Sequence, residues 1–244
     1  MEVLNEYSKR DEVFRVASET FFNWDGTHSK EAIGPTIFHL LFYYLSVSIF
    51  ADEIGENGTM VLLSTSLADK SIPKILRNPQ SPWWDNLNTK DKFETRQEIL
   101  SASWFKTVQS LQQDYGKSVE NWEWGRIHTL EIQHLLGRKK PLNLLFNLGP
   151  YPVPGSKGVL NQLRHKYGPR ALKVSSGPST RRVIDFSDAE YSDGISPTVQ
   201  SGYFFDSHYA DQTPLYLAGK FRTQRMNYND IIANQASRLN FLPK

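Results

Sequence analysis

Apolar side chains recur at helical spacing along the first half of the chain, most clearly in residues 90–115. An apolar residue returns there every three or four positions, which places the set on one face of a helix. The set comprises Leu100, Trp104, Val108, Leu111 and Tyr115. Gly116 follows, and glycine readily adopts the backbone conformation that ends many helices. The pattern predicts a helix over 90–115 with a buried apolar face.

Two further helices are predicted before residue 55. Residues 3–22 carry one apolar face, and the turn-forming residues 23–26 follow it. That face consists of Val3, Leu4, Tyr7, Val13, Phe14, Ala17 and Phe21. Residues 30–52 form the next helix, whose apolar run is shorter than the roughly 20 residues that cross a bilayer. We therefore expect a buried core helix and no membrane span.

Shorter elements complete the pattern. Glycines break the chain at residues 55–58, and residues 59–68, 70–77 and 227–239 are predicted as helices. Beyond Glu120 the alternation of apolar and polar residues favours strands. The predicted strands are residues 127–135, 172–174, 181–187 and 196–200, residues 141–158 are loop, and residues 215–222 form a strand or a turn of helix.

These two textures define the predicted organisation. Residues 1–118 form a mainly helical region, and residues 119–244 form a strand-and-loop region with a terminal helix. Helices packed beside a sheet would join the two regions in one body. The predicted fold class is therefore α+β, with a helical region followed by short strands.

Composition excludes several classes of function. The chain has 244 residues, a formal net charge of +2 and no cysteine, which excludes disulfides, thiolate catalysis and cysteine-ligated zinc. Its basic residues are dispersed except at residues 138–140, so no nucleic-acid partner is expected. His128 and His134 lie too far apart on one strand to share a metal ion, and we interpret them as hydrogen-bonded structural histidines. Neither a metal nor a cofactor is expected.

Two short motifs resemble catalytic signatures without their companions. Ser71 and Lys74 match the S-x-x-K pair of penicillin-recognising serine enzymes, but Pro73 disturbs the helix and the S-D-N and K-T-G partners are absent. Residues 149–158 resemble a phosphate-binding loop, but the spacing is wrong and three prolines remove N–H donors. A rigid loop of this kind could still shape a pocket.

Polar residues are densest in residues 176–212, which makes this segment the candidate site. Asp185 lies between Ile184 and Phe186 in a predicted strand. A carboxylate in such a strand either faces solvent or points into a site where it must be paired. Both a structural role and the orientation of a catalytic base remain open for Asp185.

Six segments in series resemble the C-terminal part of the β subunit of the penicillin amidase family. This family includes penicillin acylases, cephalosporin acylases and acyl-homoserine-lactone acylases. The segments are residues 22–26, 115–128, 147–161, 176–188, 200–212 and 217–222. No single segment is specific, but their order is, and together they cover nearly all of the chain. The resemblance implies the C-terminal part of an N-terminal-nucleophile (Ntn) hydrolase with an αββα sandwich.

The resemblance also implies a chemistry. In this family a self-cleaving precursor exposes a serine at the start of the β subunit, and its hydroxyl attacks an amide carbonyl to form an acyl-enzyme. An asparagine further along the β subunit completes the oxyanion hole. We expect both residues, and the family's calcium ligands, to lie upstream of this chain. The chain alone would then be inactive and would need an upstream β-chain segment and an α subunit as partners to act on a small amide.

Site roles follow from the same resemblance. Asp185 occupies the place of an accessory acid that orients a histidine near the nucleophile. Five residues are expected to brace the site instead of reacting: Arg182, His208, Tyr209, Asp211 and Gln212. The resemblance further implies a periplasmic or extracellular hydrolase of antibiotic biosynthesis, although residues 1–20 are no signal peptide and the chain shows no targeting signal.

Two alternatives remain open at this stage. The chain could be a non-catalytic structural or interaction module, such as a remnant or a split-gene product, or a sugar-binding module. The second alternative needs exposed, coplanar tryptophans, so burial of Trp83, Trp104 and Trp122 would exclude it. A fragment of a larger sheet would also expose apolar surface where the rest of that sheet packs.

Overall fold

The computed structural model of the chain describes residues 11–198 and 201–243. Within those residues the α-helices are α1 (Glu12–Phe22), α2 (Gly34–Ser64), α3 (Leu67–Arg77), α4 (Arg96–Tyr115), α5 (Trp124–Ile127), α6 (Asn143–Phe146), α7 (Thr213–Leu217) and α8 (Tyr228–Asn234). The strands are β1 (Thr129–Ile132), β2 (Leu148–Pro152), β3 (Arg164–His165), β4 (Val174–Ser176), β5 (Arg181–Val183), β6 (Tyr191–Ile195) and β7 (Arg222–Arg225). Helices precede short strands, which confirms the predicted α+β class.

The chain divides into two compact units. The helical unit comprises Met1–Glu131 and Gly149–Gly177, and the C-terminal unit comprises Ile132–Leu148 and Pro178–Lys244. The predicted division at residue 118 describes a change in sequence texture. The compact units follow another boundary because residues 149–177 belong with the helices.

Helix α2 forms the centre of the helical unit. It packs along α4 and also contacts α1 and α3. By length and composition α2 could cross a membrane, with a mean hydropathy of 1.4 over its most apolar part. In the structure its residues Ile37, Leu40, Leu45 and Ile49 lie in two apolar clusters with the neighbouring helices. This packing is that of the predicted core helix.

Gly55 divides α2 where the sequence predicted a break. Its φ of 72° lies in the left-handed region, which glycine adopts without steric cost, and the helix continues on both sides of the kink. The predicted separate helix at residues 59–68 is therefore the second half of α2. The predicted helix at residues 70–77 is α3, which starts earlier, at Leu67.

Helix α4 is the predicted amphipathic helix of residues 90–115. It begins at Arg96 because Thr95 caps it, with the Thr95 and Glu98 side chains each bonding the other residue's backbone N–H. Gly116 follows its last residue with a φ of 89°. Its buried side chains pack with α1 and α2. They include Trp104, Val108 and Leu111.

The amino-terminal prediction is tested only in part. Helix α1 begins at Glu12, where the Asp11 side chain accepts a hydrogen bond from the N–H of Val13 at 2.8 Å. Phe14 and Ala17 of the predicted apolar face are buried. Three other members of that face lie outside the described residues: Val3, Leu4 and Tyr7.

The C-terminal unit contains an antiparallel sheet in the order β5-β6-β7. Arg182 pairs with Gly194 across the first ladder, and Ser192 pairs with Gln224 across the second. The predicted strand over 181–187 ends at Val183, and the predicted strand over 196–200 is wrong in its described part, residues 196–198. The strand lies earlier, at Tyr191–Ile195, because that segment finds a hydrogen-bonded partner on each side.

Candidate functional site

A buried cluster of histidines and one serine lies in the helical unit. His39 of α2 is 3% exposed, and its Nε2 lies 3.0 Å from Nε2 of His28 and 2.9 Å from Oγ of Ser156. Ser156 is fully buried, and its Oγ lies 3.5 Å from Nε2 of His165. The cluster therefore joins α2, the loop before it and the residues 149–158 loop.

Backbone carbonyls determine the tautomers in this cluster. Nδ1 of His28 donates to the Gly26 carbonyl at 3.1 Å, and Nδ1 of His165 donates to the Lys166 carbonyl at 3.1 Å. Nε2 of each neutral ring is then an acceptor. The Nε2–H of His39 therefore donates to Nε2 of His28 and to Oγ of Ser156. The Ser156 hydroxyl donates in turn to Nε2 of His165. His39 Nδ1 is buried and has no hydrogen-bond partner among the described residues, so it is left as an unpaired acceptor.

Burial keeps these histidines neutral. It lowers the pKa of His165 to about 4, with His128, His28 and Lys157 adding to the effect. Burial likewise lowers the pKa of His128 to about 4, against the opposing hydrogen bond to the Leu172 carbonyl. The pKa of His39 lies well below its ordinary value, from burial first and then from His165, His28, His128 and Lys157. Each proton added would be a buried charge among like charges.

Trp124 forms the wall of the cluster. Its ring stacks on His128 with centroids 4.3 Å apart and on His39 at 5.2 Å. Its indole N–H donates to the Gly155 carbonyl at 2.9 Å, which fixes the residues 149–158 loop against α5. The loop that the sequence predicted at residues 149–158 begins as strand β2 up to Pro152, and its remaining residues supply Ser156 to the cluster.

The Ser156–His39 pair has the spacing of a nucleophile and its base, but the arrangement does not suit catalysis. A substrate carbonyl cannot reach the Ser156 oxygen because this residue is 0% exposed. In the part of the chain that the structure describes, no carboxylate bonds His39 Nδ1, so an imidazolium would lack the partner that stabilises it. We interpret the cluster as a structural polar network.

The predicted bracing residues lie in the C-terminal unit. His208 Nδ1 lies 2.8 Å from Oδ2 of Asp211, and this carboxylate raises the pKa of His208. Gln212 accepts a hydrogen bond from the N–H of Ser196 at 3.3 Å. His208 and Asp211 line a cavity of about 690 Å³, and Gln212 and Arg222 line it too. The structure thus brings three of the five predicted residues to one cavity.

The other two predicted residues lie elsewhere. Tyr209 donates its hydroxyl to the Phe146 carbonyl at 2.6 Å, which ties its loop to α6. Arg182 is exposed on β5, while its neighbour Arg181 turns inward. The Arg181 guanidinium lies 3.9 Å from the ring centroid of Tyr216 and donates to the Tyr216 carbonyl at 2.9 Å. Strand alternation explains the difference, since adjacent residues face opposite sides.

Asp185 lies in an exposed turn after β5 and not in a strand. Its Oδ1 accepts hydrogen bonds from Ser187 N at 2.9 Å and Ser187 Oγ at 2.7 Å, an arrangement typical of an Asx turn. These bonds lower the pKa of Asp185. No histidine of the described residues is bonded to it, and its accessory catalytic role stays a prediction.

Sequence comparison decides the family. Residues 2–233 match the family model described as penicillin amidase. The chain belongs to the penicillin amidase family.

Relatives in this family share limited identity with the chain. It is 26% identical over 241 residues to acyl-homoserine lactone acylase QuiP of Pseudomonas aeruginosa, covering 91% of this chain and 28% of that protein. The QuiP protein of Pseudomonas putida is 24% identical over 236 residues, covering 90% and 27%. The chain thus spans about a quarter of the length of the curated relatives it matches.

A solved structure supports the fold. The thermostable penicillin G acylase from Alcaligenes faecalis superposes with a TM-score of 0.50 and 14% identity, over 99% of this chain and 45% of that one. This likeness concerns the fold alone.

The tryptophans of this penicillin amidase chain do not form a sugar-binding platform. Trp104 and Trp122 are fully buried, and Trp83 is half-buried against Phe50. None of the chain's six tryptophans is exposed, whereas stacking on a sugar ring needs an exposed tryptophan face. The structure therefore argues against the sugar-binding alternative.

Sequence reasoning missed the histidine cluster. His39 interrupts an apolar run, which signals a buried polar residue, but its partners Ser156 and His165 lie more than 100 residues away. No motif spacing links such positions. Only the packing of the residues 149–158 loop on α2 brings them together.

The two neighbouring arginines of β5 provide a matched pair. We expect Arg181→Gln to lower the free energy of unfolding by about 1–2 kcal/mol, because it removes the cation–π contact and the bond to the Tyr216 carbonyl. Arg182→Gln, on the exposed side, should change it by less than about 0.5 kcal/mol. Urea denaturation followed by circular dichroism measures both. Equal losses would contradict this assignment.

Proposed function

We propose that the chain is the C-terminal part of an N-terminal-nucleophile amidohydrolase that cleaves a linear amide bond. The nucleophilic serine and the oxyanion asparagine would then lie upstream of it. The observation that carries the proposal is the penicillin amidase match over residues 2–233. The acylase relatives, of which this chain spans about a quarter, support the same reading.

The chemistry follows from the family mechanism. The serine hydroxyl attacks the amide carbonyl, the C–N bond breaks, and the amine leaves with a proton. Water then hydrolyses the acyl ester to a carboxylic acid and restores the hydroxyl. The QuiP relatives are named acyl-homoserine lactone acylases, which supports N-acyl-homoserine lactones as the substrate class and acyl amides in general as the wider class.

The structure is consistent with a chain that braces the site of that reaction and does not supply the nucleophile. Ser156 and His39 have the spacing of a nucleophile and its base, but both are buried away from solvent. Its C-terminal unit carries large exposed apolar side chains, including Phe186 at 91%, Phe205 at 73% and Phe241 at 88%. Exposed apolar side chains of this size are where a fragment of a larger sheet would meet the rest of that sheet. An upstream β-chain segment and an α subunit are the partners that we propose.

A reconstitution experiment tests the proposal. The purified chain and the chain combined with the product of the sequence upstream of it are each incubated with N-decanoyl-homoserine lactone. Release of the free amine is followed by a fluorescent amine reagent. We expect no turnover above buffer for the chain alone, and turnover for the combination.

Two variants make the result decisive. Alanine at the first residue of the upstream β-chain start should abolish the turnover, whereas Ser156→Ala should leave the chemistry in place. Turnover by the pure chain would overturn the proposal. A combination that assembles without turnover would favour the alternative of a non-catalytic structural or interaction module.

We also propose a periplasmic or extracellular location for the whole protein, and family resemblance supports it. Fractionation of the source cells with an antibody against this chain tests the location. Recovery in the cytosolic fraction alone would contradict it.

A further inference from the structure

A second cavity lies within the helical unit, apart from the predicted site residues. Its volume is about 350 Å³, at the lower end of the range for small-molecule pockets. One wall is apolar and comes from the second half of α2, with Met60 and Leu63. The other wall comes from β3, β4 and the residues around them. The cavity therefore joins an apolar and a polar surface.

The polar wall is positively charged. Lys157, Arg164 and Lys166 line it, and no carboxylate does. Lys157, whose side chain is only 10% exposed, is already neutralised by Asp69 at 2.9 Å and held by the Thr65 carbonyl at 2.8 Å. Among the residues that the structure describes, neither Arg164 nor Lys166 pairs with an acid. Two cationic groups at the cavity thus remain available to an anion.

A tyrosine hydroxyl completes the polar wall. The Tyr167 ring packs on His165 and Phe42 and lies 5.4 Å from the Lys157 ammonium. Burial raises the pKa of Tyr167, so its hydroxyl keeps its proton and can donate it in a hydrogen bond. Within the described part of the chain this hydroxyl has no hydrogen-bond partner. Arg164, Lys166 and Tyr167 therefore offer hydrogen-bond donors to an anion, and no carboxylate in the cavity lining competes for them.

From this arrangement we propose that the cavity binds an amphipathic monocarboxylate, that is, a carboxylate with a short aliphatic tail. The carboxylate lies against Arg164, Lys166 and the Tyr167 hydroxyl, because charge-assisted bonds to oxygen anions are the strong ones. The tail lies on Met60 and Leu63, where it removes apolar surface from water. The inference concerns binding and does not depend on the proposed hydrolysis.

Titration of the full chain by isothermal calorimetry tests the proposal, with octanoate as the probe. Acetate supplies the charge alone, octan-1-ol the tail alone, and inorganic phosphate a different anion. We expect octanoate to bind at least about tenfold more tightly than each of the other three, because only octanoate satisfies both walls. Octanol or phosphate binding as tightly as octanoate would overturn the proposal.

Three substitutions locate the binding. Arg164→Gln and Lys166→Gln should each weaken octanoate binding by about tenfold, the loss of one charge-assisted contact. Lys90→Gln, which removes an exposed lysine away from the cavity, should leave the affinity unchanged. Lys166 is exposed, so its variant keeps the test valid if Arg164→Gln proves unstable. Octanoate binding that is insensitive to both cavity variants would contradict the site.

Discussion

Lowering the pH from about 7.5 to about 5 is expected to reduce the contribution of His128 and His165 to the free energy of unfolding by about 4 kcal/mol. Burial lowers the pKa of His128 and His165 to about 4, from an ordinary value of 6.5. At a pH between these two pKa values the histidines bind protons in the unfolded chain but not in the folded chain. The free energy of unfolding therefore falls as the pH falls. Each histidine lowers the free energy of unfolding by about 2 kcal/mol at pH 5, at 1.36 kcal/mol for each unit by which the pH lies below the ordinary pKa.

The loss is a large part of a typical domain stability of roughly 5–15 kcal/mol. His39 and His28 act in the same direction, because burial lowers the pKa of both. Urea denaturation at a series of pH values, followed by circular dichroism, measures the slope. Glu53 opposes this trend, because burial and Asp52 raise its pKa to about 7 and its protonation then favours the folded chain as the pH falls. The same pH dependence in the chain and in a variant that lacks a buried histidine would contradict the neutral cluster.

Two histidine variants separate the buried from the exposed contribution. His165→Gln removes one titrating group, so the dependence on pH should become shallower while stability at pH 7.5 drops. His208→Gln is the matched control on the surface. Asp211 raises the pKa of His208, so that ion pair stabilises at low pH and is lost as the pH rises through the folded pKa. Its removal should not flatten the slope.

Trp124→Ala is expected to lower the free energy of unfolding by about 4 kcal/mol, the scale for truncating a buried aromatic residue. The ring is 0% exposed, stacks on His128 and His39, and donates to the Gly155 carbonyl. Truncation leaves a cavity and an unpaired buried carbonyl at the same point. Guanidinium denaturation followed by far-ultraviolet circular dichroism measures the change without relying on tryptophan fluorescence.

Trp83→Ala is the matched control, since Trp83 is half-buried and packs mainly on Phe50. Its loss should be clearly smaller than that of Trp124→Ala. Trp124→Phe keeps a ring and removes the indole N–H, so about 1 kcal/mol is expected. If the two alanine variants lost the same stability, Trp124 would not be the anchor of the residues 149–158 loop.

Local interactions explain which elements the sequence could predict. Helix α4 carries its own start and stop, with the Thr95–Glu98 capping pair at one end and Gly116 at the other. Strand β6 carries no such signal, because Ser192, Asp193 and Gly194 do not resemble a strand. It is extended because β5 and β7 pair with it on both sides. β propensity depends on such neighbours more than helix propensity does.

The candidate site divides along the same line. The order of family segments was legible in the sequence, and the family model confirms it over residues 2–233. His208, Asp211 and Gln212 lie within a few residues of one another, and the structure brings them to one cavity. Asp185 was assigned to a strand because its apolar neighbours suggested one, whereas its own side chain bonds Ser187 and turns the chain.

The amino-acid sequence by itself determined the helical half, the core position of α2 and the membership of the penicillin amidase family. These depend on interactions and patterns within a few residues, which a linear reading contains. The tertiary structure alone decided that His28, His39, Ser156 and His165 meet, and that Arg181 and not Arg182 turns inward. Side chains distant in sequence become neighbours only when the core packs, because burial then determines which polar groups must satisfy one another.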